Sequence, residues 1–211
     1  MRDRLMRKKW QSALIACCLV AVLLASAGTI FASSPVSAAV SCEGNTMNTS
    51  HRLTLIGHLI PVLHGLAPLH DMDCNQTLQL TIRLQVRNQA ELDHLMTELN
   101  DPQSPNYHHY LTTQAYADRF GQPQTVVDQV VAYLQSAGFT ILNVAPNRLA
   151  ITVTGTVAHI AETFAVHLAN FQVGSRTVFA PMDEPSVPPQ FGTAIQAIIG
   201  LSDVAVAHPP R

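Results

Sequence analysis

The chain has 211 residues, 47% of them hydrophobic and 12% charged, with a formal net charge of −2 at pH 7. That is enough apolar material for the core of one ordinary domain with extensions. Twelve Lys and Arg against fourteen Asp and Glu, with no basic stripe beyond the first ten residues, argue against a nucleic-acid partner.

Met1 to Trp10 holds Arg2, Arg4, Arg7, Lys8 and Lys9, Ser12 to Phe31 is almost wholly apolar or small, and Ser33 to Ala39 ends in small residues. This is the order of a secretory signal, read here as residues 1–39 with cleavage after Ala38 or Ala39. The alternative is a membrane anchor through residues 12–31, whose apolar run approaches bilayer length. Export agrees with the cysteines. Cys17 and Cys18 fall in the signal, leaving Cys42 and Cys74 as a candidate disulfide or as two free thiols. A bridge closing that loop is worth about 3–4 kcal/mol in the chain-entropy model. Asn48-Thr49-Ser50 and Asn75-Gln76-Thr77 match the glycosylation acceptor pattern.

Residues 40–73 form an N-terminal extension broken by Gly57, Pro61, Gly65 and Pro68, which reads mostly as loop. Within it His58, His64 and His70 recur every six residues, a spacing that fits neither a helix face nor a usual zinc motif. Thr77 to Arg87 alternates strictly and predicts a strand with one apolar and one polar face. Asn88 with Glu91 predicts a capping box, followed by a helix burying Leu92, Leu95, Met96 and Leu99.

Asp101-Pro102 and Ser104-Pro105 stop that helix, because a residue before proline leaves the α region and proline has no N–H to give. Asn106, Tyr107, His108, His109 and Tyr110 follow, after which Thr112 or Thr113 predicts the cap of a short helix with Tyr116 and Phe120. Pro123 opens another helix with Val126, Val127, Val130, Val131 and Leu134, ended by Gly138. Phe139 to Val144 and Arg148 to Thr154 predict a hairpin, and Thr156 caps a helix with Val157, Ile160, Ala161 and Phe164. Leu168 to Val173 and Thr177 to Ala180 make a second hairpin across Gly174-Ser175-Arg176. Phe191, Ile195, Ile198 and Ile199 predict a last short helix closed by Gly200. The order of elements is that of an α+β domain, a split βαβ arrangement with an antiparallel sheet and helices on one face.

The string LNDPQSPNYHHYLT from Leu99, followed by YADRFG, resembles the signature of the activation domain of the sedolisin and kumamolisin family of serine-carboxyl peptidases. LIGHLIPVL at Leu55, RLAITVTGT at Arg148, GSRTVFAP at Gly174 and AIIGL at Ala197 extend the resemblance in order over about residues 53–203. The resemblance implies a ferredoxin-like propeptide fold over residues 74–204. It also implies a folding assistant that blocks a peptidase until acid pH releases it, with residues 205–211 as a tail. The partner so implied is a sedolisin-type catalytic domain, in cis or in trans. Ala205, Val206, Ala207, His208, Pro209, Pro210 and Arg211 are then the candidate protease-facing tail.

The family's peptidases carry a Glu, an Asp and a Ser, the last in Gly-Thr-Ser. Here Gly-Thr occurs three times, followed by Ile30, Val157 and Ala194, so no nucleophile carries over. A Gly-x-Ser-x-Gly elbow, a phosphate-cradling glycine loop and a His-Glu-x-x-His are also missing. His159 and Glu162, one helical turn apart with His167 downstream, read as a solvated helix face. The expectation is a non-enzymatic prodomain without cofactor or metal. The alternatives are the N-terminal part of a longer peptidase precursor and a free-standing binding module of the same fold.

Beyond residue 39 the chain holds thirteen acidic residues, seven Arg, no Lys and all ten His. Its charge near −6 therefore moves to about +4 as the imidazoles protonate with reference values near 6.5, before most carboxylates do. His108 and His109 are the candidate pH switch, because two adjacent imidazoles beside Tyr107 and Tyr110 are costly to charge together if packed.

Overall fold

The computed structural model describes residues 51–204. The expectations for the signal, for Cys42 and for the tail 205–211 fall outside the described residues. No helix among the described residues is long and apolar enough to cross a membrane.

The central sheet is antiparallel, with strands in the order β4-β5-β3-β9. β3 is Thr77–Leu84, β4 Thr140–Val144, β5 Ala150–Thr156 and β9 Ile195–Ile199. Between β3 and β4 run helices α1 (Gln89–Asn100), α2 (Thr113–Phe120) and α3 (Gln124–Ser136), and between β5 and β9 runs α4 (Val157–Phe164). Taking these four strands in chain order as first to fourth, the first lies between the third and the fourth and the second lies at one edge. That is the split βαβ arrangement of a ferredoxin-like sheet.

The alternation in β3 does what it predicts. Leu78, Leu80, Ile82 and Leu84 are buried while Thr77, Gln79 and Arg83 stay exposed. Against that inner face pack Ile151 and Val153 of β5 and Ile195 and Ile198 of β9. Val127, Val130 and Leu134 of α3 and Val157, Ile160 and Phe164 of α4 complete one core. The side chains of Phe164, Leu80, Ile82 and Ile160 have no exposure at all, and burying each of them is worth about 1.5–3 kcal/mol. A satellite cluster gathers Leu95, Leu99 and Phe120 from α1 and α2, with Val86, Leu92, Leu111 and Tyr116 around it.

A three-stranded sheet lies apart from the central one, with β2 (His70–Asp71), β6 (Leu168–Val173) and β7 (Arg176–Pro181) in that order. Leu63, Ala169, Phe171, Val178 and Ala180 form its small core. β6 and β7 join through Gly174-Ser175, with Gly174 at φ +61°. β1 (Leu53–Thr54) pairs with β8 (Ser186–Val187).

Three local expectations are corrected. The last segment is the edge strand β9 rather than a helix, paired with β3 through Ile82 opposite Ile198 and Thr81 opposite Ile199. Ile195, Ile198 and Ile199 fit a helical period as well as a short strand, and the open edge of β3 decides between them. Asn88 makes no capping box: it sits in the left-handed region at φ 54° with no side-chain cap bond, and Glu91 instead pairs with Arg119 at 2.5 Å. Met96 is half exposed, because the face of α1 that packs toward Phe120 is Leu92, Leu95 and Leu99. The described part of the extension is mostly loop as expected, with β1, a 3-10 turn at Pro61–Leu63 and β2 as its short regular pieces and Leu55, Leu63 and Met72 buried. Both Thr caps form as expected, Thr112 accepting from Ala115 N at 3.2 Å and Thr156 from His159 N at 3.3 Å.

Candidate functional site

Two surfaces and one strap carry the features that a partner can read. The first surface is the outer face of the central sheet. Thr81 and Arg83 of β3, Ala150, Thr152 and Thr154 of β5, and Ala197 and Ile199 of β9 lie side by side on it. All remain exposed or half-buried, whereas Leu80, Ile82, Ile151, Val153, Ile195 and Ile198 on the opposite face are buried. The face is built of small and hydroxylated side chains, with Thr81 and Thr152 hydroxyls 3.5 Å apart and Thr154 donating to Leu78 O at 3.2 Å. Such a face carries little charge beyond Arg83 and can take a second layer.

The second surface is the loop from Asp101 to Leu111. Its base is tied down: Asn106 Nδ2 donates to Glu98 Oε2 at 3.0 Å and His108 N to Leu99 O at 3.2 Å, which holds the loop on the end of α1. Its tip projects. The rings of Tyr107 and His108 stack at 3.8 Å between centroids, and His108 lies 6.0 Å from Tyr110. Tyr110 is 70% exposed, and His108 and His109 are exposed too. Burial, the condition that makes these imidazoles costly to charge within the fold, is therefore not met.

The strap is residues 51–63, which cross the ends of several elements. Arg52 Nε donates to Ser186 Oγ at 2.9 Å, and its guanidinium also donates to Thr163 O at 2.5 Å and Ser186 O at 2.6 Å. Leu55 N donates to Pro185 O at 2.8 Å, and Gly57 N and His58 N each reach the Glu184 carboxylate at 2.9 Å. Burial disfavours the Glu184 carboxylate, but the N–H groups of Gly57, His58 and Leu59 and the nearby His58 ring outweigh it and hold its pKa below the ordinary value. Burial raises the Tyr133 phenol, against the opposing pull of Arg52, and its hydroxyl donates to Thr163 O at 3.1 Å.

The structure separates the His residues that the sequence presents as a series. His58 is nearly buried in the strap, His64 is exposed, and His70 Nδ1 lies 2.8 Å from Asp71 O. His159 is not on a solvated face, a correction to the sequence reading. Its ring covers Gly138, where an added Cβ would come within 2.8 Å of it, and its buried Nδ1 has no hydrogen-bond partner among the described residues. Glu162 is exposed, and His167 Nε2 lies 2.9 Å from Asp71 Oδ1. Cys74 is disulfide-bonded. At the hairpin joining β4 and β5, Arg148 Nη2 meets Asp118 Oδ1 at 2.7 Å. Sequence reasoning missed Arg52 and Glu184, since each looks like an ordinary surface charge until the chain brings positions 52 and 186 together.

The family model described as "Pro-kumamolisin, activation domain" matches residues 65–204. Among curated proteins, Xanthomonalisin of Xanthomonas sp. (strain T-22) is 33% identical over 177 residues, covering 84% of this chain and 21% of that protein. Sedolisin of Pseudomonas sp. (strain 101) is 28% identical over 143 residues, covering 68% of this chain and 24% of that protein. The chain thus spans less than a quarter of the length of these relatives. With the ferredoxin-like sheet, the signature loop and the sequence match in agreement, the chain belongs to the Pro-kumamolisin activation domain family, the propeptide region of sedolisin-type peptidases.

Proposed function

We propose that this chain is a secreted prodomain without catalysis of its own, which assists the folding of a sedolisin-type catalytic domain and inhibits it until acid releases it. The observation that carries the reading is the uncovered outer face of the central sheet in a member of an activation-domain family. Among the described residues, its row of Thr81, Thr152, Ile199 and Ala197 stays exposed or half-buried with no second layer packed on it. In this reading that face rests on the catalytic domain and residues 205–211 run toward the active-site cleft. Cys42 and Cys74 form a bridge fastening the extension at the start of β3. His108 and His109 act at the interface rather than inside the fold, because both are exposed.

The test is inhibition. The purified chain should slow casein hydrolysis by a sedolisin-type peptidase near neutral pH, lose that effect as the pH falls, and leave denatured casein intact when alone from pH 3 to pH 7. Proteolysis that stays with the chain through repurification, or no inhibition at any pH, would overturn the reading.

A second reading is favoured by the lengths of the relatives, of which this chain covers 21% and 24%. In it the domain acts in cis, as the leading part of a longer precursor. Reading the coding sequence past Arg211 distinguishes the two.

A further inference from the structure

His58 is held by three groups from three places in the fold. Its Nδ1 lies 2.9 Å from Leu55 O, its Nε2 accepts the backbone N–H of Ile198 at 3.0 Å, and Glu184 Oε2 stands 3.5 Å from Nδ1. The side chain is 9% exposed. A carbonyl at one nitrogen and an N–H at the other fix the tautomer: the proton is on Nδ1, and Nε2 is the bare acceptor. Ile198 lies in the edge strand β9 of the central sheet, and its N–H would otherwise be an open edge group. The imidazole therefore does the work of a missing strand at that point.

We propose that His58 is an acid-sensitive latch, which fastens the strap to the β9 edge while neutral and lets go of Ile198 when it becomes charged. An imidazolium carries N–H groups on both nitrogens, so Nε2 would present a donor to the Ile198 donor. The other side of the ring has somewhere to go. Nδ1–H can turn from Leu55 O toward the Glu184 carboxylate, which already holds Gly57 N and His58 N. Of the other titratable groups on the elements around it, Arg52 is taken up by Ser186 and Thr163, Asp183 precedes Glu184 in the chain, and β9 carries none. Protonation thus keeps His58 on the Glu184 side and frees the β9 side. The consequence for a peptidase rests on the proposed prodomain function, since β9 is followed by Gly200 to Val204 and then by the tail.

Two measurements on the purified full chain decide it. Nitrogen-15 spectra of the imidazoles should show His58 as the Nδ1–H tautomer at pH 7.5. Amide exchange, corrected for its intrinsic pH dependence, should lose protection at Ile198 by about fivefold or more between pH 7.5 and pH 5, with Leu80 and Ile82 of the central β3 unchanged. His58→Gln, whose Oε1 can take the place of Nε2 as acceptor without titrating, should keep Ile198 protected across that range. An Nε2–H tautomer, Ile198 protection that stays constant while His58 charges, or an equal loss in His58→Gln would each overturn the latch. The first two are read on the unsubstituted chain, so a variant that fails to fold does not shield the proposal. With a sedolisin-type peptidase, release by His58→Gln should need a lower pH. A latch that opens in a chain that inhibits nothing sinks only the prodomain function, whereas acid release with Ile198 still protected sinks only the latch.

Discussion

Arg52 and Ser186 are 134 positions apart in the chain and are joined twice, Nε to the Ser186 hydroxyl at 2.9 Å and Nη2 to its carbonyl at 2.6 Å. The guanidinium also holds Thr163 O, so one side chain ties the strap to β8 and to the end of α4. Hydrogen bonds to a charged donor are worth about 1.5–3 kcal/mol, and loss of the donor strands its acceptors in a half-buried place. Arg52→Ala is expected to cost about 2–4 kcal/mol in urea unfolding, by the same principle. Arg52→Lys should recover only part of that, because an ammonium cannot present the planar fork.

Acid should weaken the strap through Glu184 as well. Its pKa is lowered in the folded chain, so the stability it contributes is present above its unfolded value of about 4.3 and is lost as the pH falls through the lower folded value. Glu184→Gln should therefore be less stable than the natural chain at pH 6 and should close that gap as the pH falls below about 4. Denaturant midpoints measured from pH 6 to pH 3 check this.

Gly200 sits at φ +102°, where an added Cβ would lie 2.6 Å from Gln79 O and 3.3 Å from Leu80 Cδ2. Gln79 O belongs to the backbone of the central β3 and cannot give way. Gly200→Ala should therefore destabilise the chain by about 1–3 kcal/mol or more, from left-handed backbone strain and a backbone clash. Gly57→Ala is the comparison, because among the described residues no atom lies within 4 Å of the Cβ position there and the φ of +104° is what opposes it. Thermal melts of the two should separate them.

Deleting residues 205–211 should weaken inhibition of a sedolisin-type peptidase and leave the melting temperature of the free chain unchanged. The prediction follows from the proposed placement of the tail beyond β9. An unchanged inhibition constant would remove the tail from the interface.

Because His108 and His109 are exposed, His108→Gln with His109→Gln should leave the stability of the free chain within about 0.5 kcal/mol from pH 7.5 to pH 5. If the pair acts at the peptidase interface as proposed, the midpoint for dissociation of the complex, expected between pH 5 and pH 6.5, should fall in the double variant. A midpoint that does not move would place the trigger elsewhere.

The strand at Thr77, the helix caps at Thr112 and Thr156, the hairpin turn at Gly174 and the α+β class were all legible in the sequence. Each depends on alternation, on a side chain that bonds within a few residues of itself, on a glycine free to take positive φ, or on the order of such elements. The signature loop at Leu99 and its family were legible for the same reason, as a contiguous string. Tertiary structure alone decided the rest. Ile195 to Ile199 became a strand because β3 offered an unpaired edge, and Asn88 lost its capping box when the chain entered the left-handed region and Arg119 took Glu91. His58, one of three evenly spaced imidazoles, was singled out by Leu55 O and by the N–H of Ile198, 140 positions away. His108, which adjacency to two tyrosines marked for packing, stacks on Tyr107 in an exposed loop instead, and His109 beside it is exposed too. Local patterns fix local conformation, but which polar groups become buried partners depends on what the fold brings beside them, and that is a property of pairs far apart in the chain.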